Sequence, residues 1–394
     1  MEIIISILIL LASGVILGQI FDKFGLPDIV GPILSGVILG PTIMGLITIN
    51  SSLIGIQDIS LFFLILLLGL EITTKSFTSH PNKSIILSLA SFIIPMLAIA
   101  VVLYAFFSLS INQAVIVSIA VAVPSISIVS VLLIRKKMLG TEDGDRILSS
   151  VVISDILAFI ILAAISNSLD LYGFLGLIIT VSVFIAIMLL IAKILRIYSH
   201  KISGFFNYVS RLRNGETSIF AIVILLGLII ASFLELVGIT FVLGAFFAGM
   251  LVEELIIGKS LFRKLIRTFR RIDNSFFIPL FFSIAGATAT LPNPTYVVMM
   301  LIIIVMSGGL STLLIKHFGR GVFYKLSPVS SMSILGGRGA VGIIIGSVAL
   351  AAGVITLNFY SVILFATLIM SLFFPIFFKP KFIRMTMKRR KFFL

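Results

Sequence analysis

The chain has 394 residues, 60% of them hydrophobic and only 11% charged, with a formal net charge of +14. No soluble core needs that much apolar surface, so composition excludes a globular soluble protein and implies a polytopic, all-α membrane protein. The absence of cysteine excludes disulfides, thiolate metal sites and thiol catalysis.

Taken in order, thirteen apolar runs approach the length that crosses a bilayer. They are Ile3–Phe21, Pro27–Leu46, Leu53–Thr73, Ser84–Phe107, Ile111–Ile134, Ile147–Ser168, Leu171–Leu195, Thr217–Leu236, Ile239–Val252, Asn274–Leu291, Thr295–Ile315, Pro328–Ala352 and Leu357–Phe378. The first lacks a basic n-region and a small-residue cleavage site, so it reads as a span rather than a signal. Positive charge tests the count. Of the 29 Lys and Arg, 28 fall at the ends after the odd-numbered spans, from Lys23 through Arg135, Lys136 and Lys137 to Lys391. This alternation expects a multi-pass protein of the cell membrane with its N-terminus outside and its C-terminus cytoplasmic. The segment Leu261–Asp273, with Leu261, Leu265 and Phe269 at helical spacing, reads as an amphipathic linker on anionic lipid. The basic tail 379–394 reads as a second such contact or as a plain stop-transfer flank. With the basic charge on a membrane surface, no nucleic-acid partner is expected. The spacings Gly14–Gly18 and Gly36–Gly40, with Gly227, favour close helix contact; for Gly14–Gly18 packing, the dimer interface included, is preferred to a cation role.

The remaining basic residue is Arg338, inside span twelve, in ILGGRGAVG. Span five carries Pro124 among serines, in VAVPSISIVS. Proline removes a backbone donor and crowds the preceding turn, so both spans are predicted to be discontinuous. Interrupted helices in corresponding, oppositely directed spans point to a transporter's site. Span six carries one acid in its middle, Asp155, and an intramembrane acid marks a functional site by default. Counting from the inner ends at 1.5 Å per residue places Asp155, Arg338 and Pro124 at one level, near the middle of a core ~30 Å thick.

Several motifs now act together. FGLPDIVGPILSGVILGPTIMGL (Phe24–Leu46), LFFLILLLGLEITTKSF (Leu61–Phe77), LELVGITFVLGAFFAGMLVEE (Leu234–Glu254) and FFIPLFFSIAG (Phe276–Gly286) resemble the monovalent cation:proton antiporter-2 family, with its NapA/Kef-type membrane domain. GGRGAVGIIIGSVAL (Gly336–Leu350) resembles the Arg-containing broken helix of sodium/proton exchangers more widely. The resemblance covers nearly the whole chain in collinear order. It implies an NhaA-type fold of thirteen spans with two crossed discontinuous helices, and a homodimer. It also implies a dimerisation part including 1–46 and 171–256, and a core part including 53–168 and 274–378 that moves like an elevator. No soluble regulatory domain is expected. Carried over residue by residue, the cation- and proton-binding acid is Asp155, the break of span five is the region Pro124–Ser127, and the arginine of span twelve is Arg338.

Two departures concern the site. Ser154 stands where relatives commonly carry Asn, Gln or a second Asp. Span eleven has no lysine opposite the acid, where the alignment falls near Ser307. A hard monovalent cation wants oxygen ligands, so the candidate set is Asp155, Ser154, Ser125 and Ser127 with carbonyls freed at the breaks. Pro124, Gly337 and Gly339 open the helices. Arg338 compensates charge, either paired with Asp155 or holding other parts of the crossing. The expected activity is exchange of one Na+ (or K+) for one proton, the ions being cargo and no cofactor being required. The alternatives are a potassium efflux transporter or channel, and a sodium-coupled organic-anion symporter of the same fold. An enzyme is not expected: His80, His200 and His317 lie near the inner surface, and Glu142, Asp143 and Asp145 read as solvated loop charges.

Overall fold

The computed structural model of the protein describes residues 3–71 (without 24, 25 and 28), 81–126, 129, 133, 141–166, 190–236 (without 192, 195 and 196), 240–318 (without 253) and 337–376. Among these, every regular element is a helix. Ser127, Asp28, Asp170, His80, the basic residues Lys75, Arg135, Lys136, Lys137 and Lys325, most of Leu171–Leu195 and the tail 379–394 lie outside the described residues. Each other predicted span contains a helix: α1 (Ile3–Lys23), α2 (Val30–Leu39), α3 (Ser51–Glu71), α4 (Pro81–Ser88) continuing into α5 (Ile94–Phe107), α6 (Ile111–Ala122), and α7 (Glu142–Ser166). After a surface helix α8 (Ser199–Ser210) come α9 (Gly215–Leu236), α10 (Phe241–Leu251), the short α11 (Glu254–Ile257), α12 (Lys259–Ile272), α13 (Ile278–Thr288), α14 (Pro294–Phe318), α15 (Ala340–Ala351) and α16 (Leu357–Ile376).

Local chemistry explains several boundaries. Ser110 opens α6 with a capping box: its hydroxyl accepts from Gln113 N–H, and the Gln113 side chain accepts from Ser110 N–H. Pro95 and Pro279 each lack the N–H that an α-helix needs. In both cases the helix widens into a π turn just before the proline, Leu89–Ile93 and Asp273–Phe277, and continues. A proline is tolerated at such depth because neighbouring groups and local widening satisfy the freed carbonyls.

The helices pack as two groups. In one, α1, α2 and α13 pack on one another, α3 packs on α10 and α13, and α9 packs on α10. In the other, α5 packs on α6 and α14, α15 on α6 and α16, and α7 on α4, α6 and α15. The sequence-based division places spans three and ten in the core part, whereas here α13 packs on α1 and α2, and α3 packs on α10 and α13. Small residues cause this. A Cβ on Gly69 of α3 would meet the Phe246 carbonyl at 2.2 Å, and one on Gly249 the Leu66 carbonyl at 2.4 Å, so α3 and α10 touch backbone to backbone. The pair Gly14–Gly18 is likewise used inside the chain. Gly14 faces Ser283 and Pro32, and Gly31 sits against the Gly18 backbone. Between the groups run α7 on α10, with Phe159 and Phe246 rings 5.5 Å apart, and α2 on α16. Tyr360 OH also donates across them to the Ala285 carbonyl (2.8 Å), as does Thr290 N–H to Ser361 Oγ (2.9 Å).

The amphipathic helix α12 forms as expected, with one adjustment: its buried residues are Phe262, Leu265 and Phe269, and Leu261 is only partly covered. Glu142, Asp143 and Asp145 are not loop residues. They form the first turn of α7, where acids complement the helix dipole. Glu142 and Asp143 both pair with the buried Arg146.

Candidate functional site at the helix crossing

The two discontinuous helices break where Pro124 and the glycines stand. α6 ends at Ala122; Val123 turns extended, and its N–H makes the last helical bond, to Ile119 (3.0 Å). On the other chain segment Gly337, Arg338 and Gly339 are non-helical, and α15 starts at Ala340. The two breaks are joined directly by a hydrogen bond from Ser125 N–H to the Gly337 carbonyl (2.9 Å). Close approach requires small residues here. A Cβ on Gly339 would fall 2.3 Å from Ser125 Oγ, and one on Gly342 would fall 2.1 Å from the Ala120 carbonyl. The C-terminal end of α6 and the N-terminal end of α15 therefore meet at the crossing, bringing partial negative and partial positive charge together.

Arg338 is fully buried. Its Nε donates to Ser307 Oγ (3.0 Å) and its Nη2 to Ser311 Oγ (2.9 Å), with a longer contact to the Ser307 carbonyl (3.5 Å). Ser307 Oγ donates onward to the Val121 carbonyl (2.8 Å), which the break in α6 has freed, and Ser371 Oγ donates to the Arg338 carbonyl (2.5 Å). The guanidinium thus ties α14 to both breaks through hydroxyls. Ser307 meets the guanidinium through both its hydroxyl and its carbonyl.

Asp155 lies in the middle of the 25-residue α7 and is fully buried. Among the described residues neither carboxylate oxygen has a hydrogen-bond partner. Its helix packs on both α6 and α15. An acid whose oxygens have no partner among the described residues, on a helix packed against both discontinuous helices, has the chemistry to take up a proton or a small cation.

Comparison with known proteins gives the crossing a context. Residues 7–383 match the family described as sodium/hydrogen exchanger, transmembrane. The chain belongs to the sodium/hydrogen exchanger family. The family consists of transporters, not enzymes, and its match accords with the resemblance drawn from the motifs. The chain is 24% identical over 385 residues to the Na+/H+-K+ antiporter GerN of Bacillus cereus, covering 95% of each. It is 26% identical over 392 residues to the Na+/H+ antiporter of Enterococcus hirae, covering 96% of this chain and 98% of that protein. The structure of the sodium proton antiporter MjNhaP1 from Methanocaldococcus jannaschii superposes with a TM-score of 0.69 at 19% identity, over 94% of this chain and 96% of that one, which establishes a shared fold.

Within this exchanger fold the predicted site residues are distributed unevenly. Ser125, Gly337, Gly339 and Arg338 meet at the crossing, with Pro124 at the turn. Ser154 is fully buried but faces elsewhere: its hydroxyl donates to the Ser150 carbonyl (2.9 Å) and pairs with Ser88 Oγ of α4 (2.9 Å). Ser88, Ser311 and Ser371 were not singled out from the sequence. The available signal was helical spacing, since Ser307 and Ser311, like Ser84, Ser88 and Ser91, recur on one face of otherwise apolar helices. Thr367 Oγ1 and Ser91 Oγ are further buried oxygens without a partner among the described residues, on helices that pack around the breaks.

A second buried acid was missed because it sits at the end of a predicted span. Asp273, in the π turn between α12 and α13, is fully buried, and its oxygens have no partner among the described residues. Beside it Arg270 binds Glu71 at the end of α3 (2.7 and 3.0 Å). Burial, with the Glu71 carboxylate adding to it, pushes the Asp273 carboxyl up to about 7.

Proposed function

We propose that this exchanger is a secondary-active antiporter that swaps one Na+ or K+ for one proton at Asp155. The observation that carries the reading is the buried pair of Asp155 oxygens without a partner among the described residues, on a helix packed against both discontinuous helices. A bare carboxylate in a water-poor interior is costly unless something compensates its charge. A proton does so, and so does a cation sharing the carboxylate with freed carbonyls and the Ser125 and Ser127 hydroxyls. The state holding neither is the costly one, so reorientation is favoured only when loaded. That inequality is what couples the two flows. Both loads carry the same charge, and the middle of α14 holds Ser307 rather than a lysine that could offer a second proton site, which supports electroneutral one-for-one exchange. Arg338, held by Ser307 and Ser311, stays fixed and keeps the crossing intact.

Alternating access then works by an elevator movement of the group built from α4–α7 and α14–α16 against the group built from α1–α3, α9, α10 and α13. The overall arrangement is NhaA-type, with thirteen spans in inverted repeats, N-terminus outside and C-terminus cytoplasmic, in the cell membrane. The exposed apolar faces of α1 and α9 support contact with lipid and with a second copy in a homodimer. The basic face of α12 supports contact with anionic lipid. Potassium stays in the proposal beside sodium because the relative GerN is named for both ions.

The test is cation-induced dequenching of a pH dye in proteoliposomes, wild type against Asp155→Asn. Na+, Li+ or K+ should dissipate the proton gradient in the wild type and not in the variant. Equal flux in both would remove Asp155 from the mechanism. No flux in either would turn attention to the organic-anion symporter.

A further inference from the structure

At the end of the bundle opposite α12, a cavity of about 380 Å³ opens between the two helix groups. Gln57, Asp58 and Leu61 of α3, Phe241 of α10 and Thr288 of α13 line one side; Ser347 of α15 and Tyr360 of α16 line the other. The volume has room for roughly a dozen waters at ~30 Å³ each. Ser347 is seven residues into α15, roughly 10 Å beyond the crossing at 1.5 Å per residue. The cavity is therefore walled by the far half of the helix that follows Arg338 and Gly339, about two turns from the break.

Asp58 is the chemistry-bearing group in this wall. It lies seven residues into α3, roughly 10 Å along the helix, and an acid at such a place is kept only if it faces protein or water. Here it lines the cavity beside Gln57, which is 9% exposed. The inner face treats its acids differently: Glu71 is paired with Arg270, Glu216 with Lys264, Glu254 with Lys259, and Glu142 with Arg146. At the opposite end the sequence supplies no Lys or Arg. Glu235, on α9, is close enough to act on Asp58 as a second negative charge. A structural acid would have been given a base; this one adds to a field of one sign in a low-dielectric mouth, which raises the local concentration of cations.

We propose that Asp58 is the access residue of this cavity, a water-filled vestibule through which a monovalent cation passes between the outer solution and the crossing. The assignment rests on the exchange reading and on the orientation given with it. It separates Asp58 from Asp155: the first concentrates the ion and sets the apparent affinity on one side only, the second binds it.

The natural absence of cysteine permits a direct test that does not depend on transport. Ser347→Cys, a near-isosteric change, is treated in intact cells with membrane-impermeant methanethiosulfonates, one cationic and one anionic, with and without Asp58→Asn. The cationic reagent should react faster, by about tenfold, the lower end of what such focusing gives, and Asp58→Asn should bring the two rates together. In proteoliposomes of sorted orientation, Asp58→Asn should raise the outer-side KM for the cation by about threefold or more and leave the inner-side KM unchanged. No reaction of the Ser347→Cys variant from outside, a rate ratio untouched by Asp58→Asn, or equal KM changes on both sides would each overturn the proposal. Charge-selective, Asp58-dependent labelling in a protein that moves no protons would uphold the vestibule and reject the exchange reading.

Discussion

Arg338 and Asp155 are both fully buried on segments that pack at the same crossing, yet their surroundings are opposites. The guanidinium is held by two serine hydroxyls of α14, while the carboxylate oxygens have no fixed partner among the described residues. Charges held by fixed dipoles become part of the architecture. A charge left without them is available to mobile ligands, and its cost is the driving force for taking one up. The contrast teaches that the two members of an apparent intramembrane ion pair can belong to different tasks, and it can be broken or sharpened residue by residue.

The largest expected effect is at Asp155. Replacement by Asn should reduce exchange by at least ~100-fold, since a neutral amide can neither release a proton nor compensate a cation. The same change removes an uncompensated buried charge, so thermal stability in detergent should be unchanged or higher. Loss of transport with a large fall in Tm would instead make Asp155 a structural group and collapse the comparison.

Next comes the hydroxyl cradle of Arg338. Ser307→Ala removes the acceptor of Nε and the donor to Val121, leaving two buried groups short of a partner at about 1–3 kcal/mol. A fall in Tm is expected, larger still for the double change with Ser311→Ala, with residual exchange and an unaltered preference among Na+, Li+ and K+. A change of ion selectivity at Ser307 would show that the cradle belongs to the ion path after all.

Asp273, buried at the end of α12, offers a second comparison with Asp155. Its carboxyl is held at about 7 in the folded protein, against about 3.9 in an unfolded chain. Between those values the folded state binds the extra proton, so stability falls as pH rises from about 4 to about 7 and is flat above. Asp273→Asn should flatten that part of the Tm-versus-pH curve by an amount on the order of a few kcal/mol at most. Parallel curves for the two proteins would mean that Arg270, already bound to Glu71, also neutralises Asp273.

Most of the architecture was legible because lipid leaves few options: backbone polar groups must be satisfied inside each helix, so apolar length and basic ends mark the spans. Pro124 and the glycines around Arg338 announced the breaks for the same reason, since only those residues remove or relax helical bonds. Partner choice was less legible. Nothing in the order of residues says that Arg338 turns to Ser307 rather than to Asp155, because that depends on the rotation of α14 against α15. The packing of α3 on α10 depends on Gly69 and Gly249, and that of α13 on α2 on Gly36 and Gly286, meeting across chain-distant helices, which a single helix pattern does not show.

The smallest expected effect discriminates most finely. Ser154 adjoins Asp155 in sequence, and position alone nominates it as a cation ligand. Its hydroxyl, however, is engaged with the Ser150 carbonyl and with Ser88 of α4, a quarter turn or more from its neighbour on the helix surface. If it positions α7 against α4, Ser154→Ala should cost about 1 kcal/mol of stability and leave the cation KM within roughly twofold, and Ser88→Ala should do the same. If it ligates the ion, the KM should rise by about tenfold or more, the loss of one good ligand at ~1.4 kcal/mol, while Ser88→Ala stays silent. Measuring both variants in one assay separates the two roles, because the positioning role makes the two serines equivalent and the ligand role does not.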